Sequence, residues 1–147
     1  MVGFLRLFYF LAFGAAIFQA AYAQQPAIDP TVPVTILDGR RFAGEFIPAG
    51  KSAGRPDDFV FADGKFHSRA CLEFGFTPGP YWIRMENGRL HFLARLTSDE
   101  NGVMTYEGTV DGSKLDARIE WIKPRWYWTM KRSFRFRGAA DTATGDR

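Results

Sequence analysis

The sequence predicts an all-β domain. The expected architecture is an antiparallel up-and-down meander that closes into a barrel of roughly eight strands. A two-sheet β-sandwich is the alternative. Three observations carry this expectation. Short apolar-alternating runs recur from residue 34 to residue 138. Asp-Gly or Asn-Gly pairs at residues 63–64, 87–88 and 111–112 separate neighbouring runs, and such pairs suit tight hairpin turns because they tolerate positive φ. No run after residue 23 has a convincing helical period, and only residues 48–58 form a connection longer than a hairpin turn. A meander this long has edge strands to protect, and closure removes them.

The N-terminus reads as an export signal. Arg6 is the only charge before an apolar run over residues 7–18, and Ala21-Tyr22-Ala23 follows as an A-x-A site. Residues 1–23 are thus expected to be removed. Residues 24–33 hold Pro26, Pro30 and Pro33 and read as a linker. No second apolar run of spanning length follows, so no stable membrane span is expected after cleavage. The expected location is periplasmic or secreted.

The barrel domain is expected over residues 34–138. Residues 34–37 alternate and stop at Asp38-Gly39; residues 41–47 follow and stop at Pro48. Residues 59–61 and 65–68 flank Asp63-Gly64, and residues 72–76 form a run closed by Pro78-Gly79-Pro80. Residues 81–86 meet 89–96 across Asn87-Gly88, and residues 103–110 meet 114–122 around Asp111-Gly112. In the last of these, Leu115, Ala117, Ile119 and Trp121 alternate with Asp116, Arg118 and Glu120, giving one buried and one wet face. Pro124 breaks the pattern, and residues 126–129 and 133–137 complete the series. Residues 139–147 are polar, lack periodicity and are expected to fray.

Composition narrows the function classes. The chain has 147 residues, enough for one domain and too few for a nucleotide-binding fold plus a substrate domain. A net charge of +3 names no partner, and four Trp, five Tyr and 15 Phe exclude a disordered polar chain. Cys71 is the only cysteine, so no internal disulfide forms and stability rests on packing. Its simplest role is a small buried residue.

The arrangement of Gly44-Glu45, then residues 61–68, then Tyr106-Glu107-Gly108-Thr109-Val110-Asp111-Gly112 leading into residues 117–121 resembles small lipocalin-like (calycin-type) barrels of exported bacterial proteins. Gly39-Arg40-Arg41-Phe42 stands near the place of the usual lipocalin Gly-x-Trp. The resemblance implies binding of an apolar small molecule and transfers no ligand residue.

No catalytic motif emerges. There is no Gly-x-Ser-x-Gly elbow, and His67 and His91 alternate with apolar neighbours as wet-face strand residues. A metal site would need His67, Cys71 and His91, or a Met from Met85, Met104 and Met130, to converge; on a continuous strand His67 and Cys71 would lie some 13 Å apart. The carboxylate pairs Asp57-Asp58 and Asp99-Glu100 read as loop residues facing water. No catalytic residue, metal or cofactor is expected.

The leading expectation is therefore a non-enzymatic exported barrel that binds a small apolar or amphipathic molecule. Inward aromatics would line the site: Trp82 (or Tyr81), Phe92, Tyr106, Trp121 and Phe134, with Arg84, Arg95 and Arg118 available to an acidic head. The alternative is a cell-envelope interaction module that docks on a protein or anionic polymer, not nucleic acid. It would use the basic aromatic segment with Arg125, Trp126, Trp128, Arg135 and Arg137. The acidic segment 97–120 offers a plainer account of those cations, as cross-strand pairs.

Overall fold

A computed structural model describes residues 35–141. The signal, the whole linker with residue 34, and the tail from residue 142 lie outside the described residues. Eight strands follow in chain order: β1 (Arg41–Pro48), β2 (Arg55–Ala62), β3 (Lys65–Ser68), β4 (Gly79–Glu86), β5 (Arg89–Ser98), β6 (Gly102–Asp111), β7 (Lys114–Pro124) and β8 (Thr129–Ala140). Each pairs antiparallel with the next, and β8 returns to pair with β1 from Phe42↔Ala140 to Pro48↔Phe134. The domain is a closed up-and-down barrel and not a sandwich.

The turns follow the sequence chemistry. Asp63 and Gly64 have φ of 53° and 69°, and Asn87 and Gly88 have 51° and 75°. Both positions of each hairpin are left-handed, as a type I′ turn requires. At the third turn only Gly112 is left-handed, at 59°. The ladders differ greatly in length. β7 and β8 share eleven residue pairs, whereas β3 meets β4 at only Lys65↔Pro80 and Phe66↔Gly79.

Five stretches depart from expectation. Residues 35–39 form a turn and not a strand, and carry Leu37 into the barrel, fully buried. Residues 72–76 are not a strand either: a one-turn helix α1 (Arg69–Leu72) precedes a turn. The Ser68 side chain accepts the Cys71 N–H at 3.3 Å and so caps α1. Gly75, at φ 73°, ends the turn while its N–H donates to Leu72 O. The long loop closes by residue 54, because β2 takes in Arg55 to Asp58. Residues 125–128 are a hairpin tip rather than the start of a strand, and Ala139 and Ala140, expected in the tail, pair within β8.

Aromatic side chains fill one half of the interior. Phe59 of β2 stacks on Phe136 of β8 with ring centres 3.7 Å apart and planes 12° from parallel. Phe66 and Tyr106 meet Phe59 edge-on at 5.0 and 5.5 Å, and Phe61 and Phe92 extend the cluster through Phe66 and each other at 5.1–5.8 Å. Burial of each ring contributes about 1.5–3 kcal/mol, and each favourable ring pair about 0.5–1.5 kcal/mol more. Room for this cluster comes from glycine. Gly108 lies opposite Phe92 in the β5–β6 ladder, and a Cβ there would sit 2.3 Å from the Phe92 ring.

The residues before β1 close this filled end. Gly39 N–H donates to Phe61 O at 2.8 Å, and Phe61 N–H donates to Arg40 O at 3.0 Å. The Tyr81 hydroxyl donates to Asp38 Oδ1 at 2.7 Å, and Gly64 N–H donates to Asp38 Oδ2 at 2.8 Å. Burial, reinforced by the Asp38 carboxylate, holds the Tyr81 phenol far above its ordinary range.

The outer face is charged. Arg41 pairs with Asp58 at 2.9 Å and Arg137 with Asp116 at 3.3 Å. Aromatic inside and charged outside is the reverse of a membrane-spanning barrel, whose lipid face must be apolar.

Gly108→Ala is expected to lower unfolding stability by about 1–3 kcal/mol, because the new methyl group must displace the Phe92 ring. Urea denaturation measures this; an unchanged midpoint would show that the ring has room to move.

Candidate functional site at the open end of the barrel

The opposite end of the barrel is not filled. A cavity of about 730 Å³ opens there, within the size range of small-molecule sites, about 300–1,000 Å³. Phe46, Met104, Trp121 and Phe134 supply its apolar wall, and Arg55, Arg69 and Arg132 stand among its charged lining residues together with Asp58 and Glu73. Phe46 and Phe134 meet at 4.7 Å between ring centres. They stand on adjacent strands, two residues toward the mouth from the Phe46↔Phe136 pair in the case of Phe134. The plug thus ends where the cavity wall begins.

The rim is tied by Asn101, in the turn between β5 and β6. Trp121 Nε1 donates to Asn101 O at 2.6 Å, and Lys123 Nζ donates to Asn101 Oδ1 at 2.8 Å. Asn101 Nδ2 donates to Phe74 O at 2.8 Å on the other side. Asn101 therefore fixes the indole of Trp121 through its backbone carbonyl and joins the α1 connection to β7 through its side chain.

A buried polar chain underlies the cavity. Asp57 is an inward residue of β2 and is buried. It accepts from the Ser68 hydroxyl at 2.5 Å, from Ala70 N–H at 2.8 Å and from Asp58 N–H at 2.8 Å. Next comes Cys71, 7% exposed, with Sγ 3.2 Å from the Tyr106 hydroxyl and 3.4 Å from Met104 Sδ. Asp57 and Cys71 both line the cavity. Burial pushes the Asp57 carboxyl upward despite its three hydrogen bonds, pushes the Cys71 thiol up, and raises the Tyr106 phenol well above its ordinary range. The thiol is thus held protonated and poorly nucleophilic.

The predicted ligand residues separate into three groups. Trp121 and Phe134 line the cavity. Tyr106 lies beneath it, joined through Cys71, and Phe92 belongs to the plug. Trp82, Arg84, Arg95 and Arg118 are on the outer face, since Tyr81, Ile83, Phe92, Ala94, Leu96, Ala117 and Ile119 hold the inward positions of those strands. These three arginines therefore cannot meet a head group in the cavity. Arg84 instead donates to Glu86 at 2.9 Å.

The docking residues also divide. Arg125, Trp126 and Trp128 are exposed at the β7–β8 tip. Arg135 and Arg137 lie along the outer face of β8, away from the tip. Arg137 is held by Asp116 and stands opposite Glu45, as a cross-strand pair; Arg135 stands opposite Arg118.

His67 and His91 occupy outward positions of β3 and β5, while Cys71 is inside, so the three do not converge. Among the described residues no three His, Cys, Asp or Glu side chains come together as a metal site. Asp57, expected in a loop and facing water, was the main site residue missed. The period-two series Asp57, Phe59, Phe61 carries the signal for it, masked by the Pro56 before it.

Fold and site together define a closed eight-stranded antiparallel barrel with one end filled by aromatic rings and the other hollow. No protein-family model, curated protein or solved structure matches the chain.

Asp57→Ala leaves the Ser68 hydroxyl and two backbone N–H groups without their acceptor, and is expected to cost about 2–4 kcal/mol of stability. Asp57→Asn keeps an acceptor and should cost less. Because the folded-state carboxyl titrates above 3.8, the folded chain binds that proton more tightly than the unfolded chain. Its contribution is greatest at pH below 3.8 and declines as the pH rises through the folded-state value. Urea unfolding between about pH 3.5 and 7 should therefore show wild type losing ground to Asp57→Asn as pH rises; parallel curves would mean that Asp57 titrates alike in both states.

Proposed function

We propose that this protein is an exported, non-enzymatic β-barrel that binds a small apolar or amphipathic molecule at its open end. The observation that carries the reading is the cavity of about 730 Å³ with Phe46, Met104, Trp121 and Phe134 on its wall. An apolar concave surface of that size gains free energy by excluding water against an apolar ligand. Arg55, Arg69 and Arg132 in the lining favour a ligand with an acidic head, although Asp58 and Glu73 temper the local charge. The filled half confines the ligand to the open half. The resemblance to lipocalin-like barrels and the signal-like N-terminus support the same reading.

Native mass spectrometry of protein recovered from an exporting host should show an added mass that denaturation removes. The intact mass also reports cleavage after Ala23. An anionic naphthalene probe should bind, and Phe134→Ala should weaken it about tenfold. Cys71 gives an internal check, since it lines the cavity. A bound ligand should slow its alkylation severalfold. Probe binding that leaves both Cys71 reactivity and the Phe134→Ala affinity unchanged would place the ligand elsewhere and overturn the proposal.

A further inference from the structure

The β7–β8 tip carries three consecutive aromatic residues that take no part in the core. Trp126 is 93% exposed, Tyr127 67% and Trp128 45%. Arg125 N–H donates to Trp128 O at 2.7 Å and closes the tip. Trp126 and Tyr127 then meet at 4.6 Å, and Tyr127 and Trp128 at 6.3 Å. The rings are arranged by one another and by the turn. Such exposure has no benefit for a solitary domain in water, where large contiguous apolar patches mark contact sites.

The hairpin that carries this patch is charged with one sign. Lys123, Arg125, Lys131 and Arg132 lie within it or on the strand ends beneath it, and residues 123–137 contain no acid. The ion pairs among the described residues all fall elsewhere. Lys123 is held by Asn101; Arg125, Lys131 and Arg132 are exposed. Two Trp and one Tyr on a projecting hairpin, flanked along it by cations, match the composition of protein segments that sit at the headgroup level of a bilayer. A purely anionic polymer would use the cations and leave the apolar rings in water. A protein partner would use the rings and give the flanking cations no general role.

We infer that the 125–128 tip docks on an anionic lipid bilayer, with Trp126, Tyr127 and Trp128 in the interfacial layer and Arg125 and Lys131 against the headgroups. Contact is peripheral, since the outer faces of the strands carry charge. The same two strands carry Trp121, Arg132 and Phe134 to the cavity, so docking brings the cavity mouth toward the membrane surface. The inference goes beyond ligand binding and does not depend on it.

The test uses vesicles containing about one-third phosphatidylglycerol in phosphatidylcholine, compared with phosphatidylcholine alone, read by flotation and by quenching of Trp emission with bilayer-resident quencher lipids. All four Trp lie at or after residue 82, so quenching reports on the barrel and not on the N-terminal segment. Wild type should float with anionic vesicles and be quenched, and bind phosphatidylcholine at least tenfold more weakly. Trp126→Ala with Trp128→Ala should weaken anionic binding tenfold or more. Arg125→Gln with Lys131→Gln should weaken it by roughly fivefold per cation removed. Circular dichroism of each variant should be that of wild type, since neither pair contributes to the core.

Failure to bind anionic vesicles would overturn the inference. So would flotation without Trp quenching, or binding that survives both double substitutions. Equal retention of wild type and the tryptophan variant on a soluble polyanion, without vesicle binding, would assign the surface to a polymer. Capture by a protein partner without vesicle binding would assign it to that protein. None of these outcomes changes the Cys71 protection result, so the two proposals fail separately.

Discussion

The stack of Phe59 on Phe136 sets the waist of the barrel. The two rings come from β2 and β8, the strands on either side of β1, so their contact bridges the closure behind β1. Phe61, Phe66, Phe92 and Tyr106 gather on and below that pair, and Phe46 and Phe134 stand above it as a wall with no filling. The hollow half is therefore a product of where the large rings stop. With one cysteine and no internal disulfide, the domain relies on this aromatic contact network and not on crosslinks.

The transition from filled to hollow is also a change from apolar to polar. Asp57, Ser68, Cys71 and Tyr106 form a connected chain just above the rings. Its members stabilise α1 as well as the floor, because Asp57 accepts from Ala70 and Ser68 accepts from Cys71. A buried carboxylate is costly unless its lone pairs are occupied. Here three donors occupy it, two of them backbone groups. The polar chain thus fixes the chain's departure from β3 and shapes the cavity in the same contacts.

Much of this was legible in the sequence, and what was not has identifiable causes. The Asp63-Gly64 and Asn87-Gly88 turns declared themselves because few residue pairs accept two successive left-handed positions. The β7 alternation did so because its outward residues are charged. From these, the barrel follows as the way to remove edges. Residues 34–37 and 72–76 looked like strands because short apolar runs do not reveal which element they belong to. In the fold, Leu37 acts as a stopper, and the Ser68 cap with Gly75 turns the second run into one helical turn. The site was harder. Phe92, Tyr106, Trp121 and Phe134 were recognisable as inward aromatics, and of the pair Trp82 or Tyr81 it is Tyr81 that points inward, whereas Arg84, Arg95 and Arg118 face outward with Trp82. Parity is decided by tertiary contacts such as Tyr81 with Asp38, which no local pattern contains.

The two-pair ladder between β3 and β4 gives the barrel a mechanical direction. Every other seam is longer, so thermal motion that parts the wall concentrates at this one, where the fewest backbone hydrogen bonds must break. The strands there remain joined through α1 and the turn after it, which also carry Ala70, Cys71, Phe74 and Phe76 along the cavity. The circumference therefore behaves as a ring with one compliant link. The two pairs sit at the filled end, at Phe66 and beside the Gly64–Asp38 contact, so the wall of the hollow end is completed there by α1 and its turn instead of by a strand ladder.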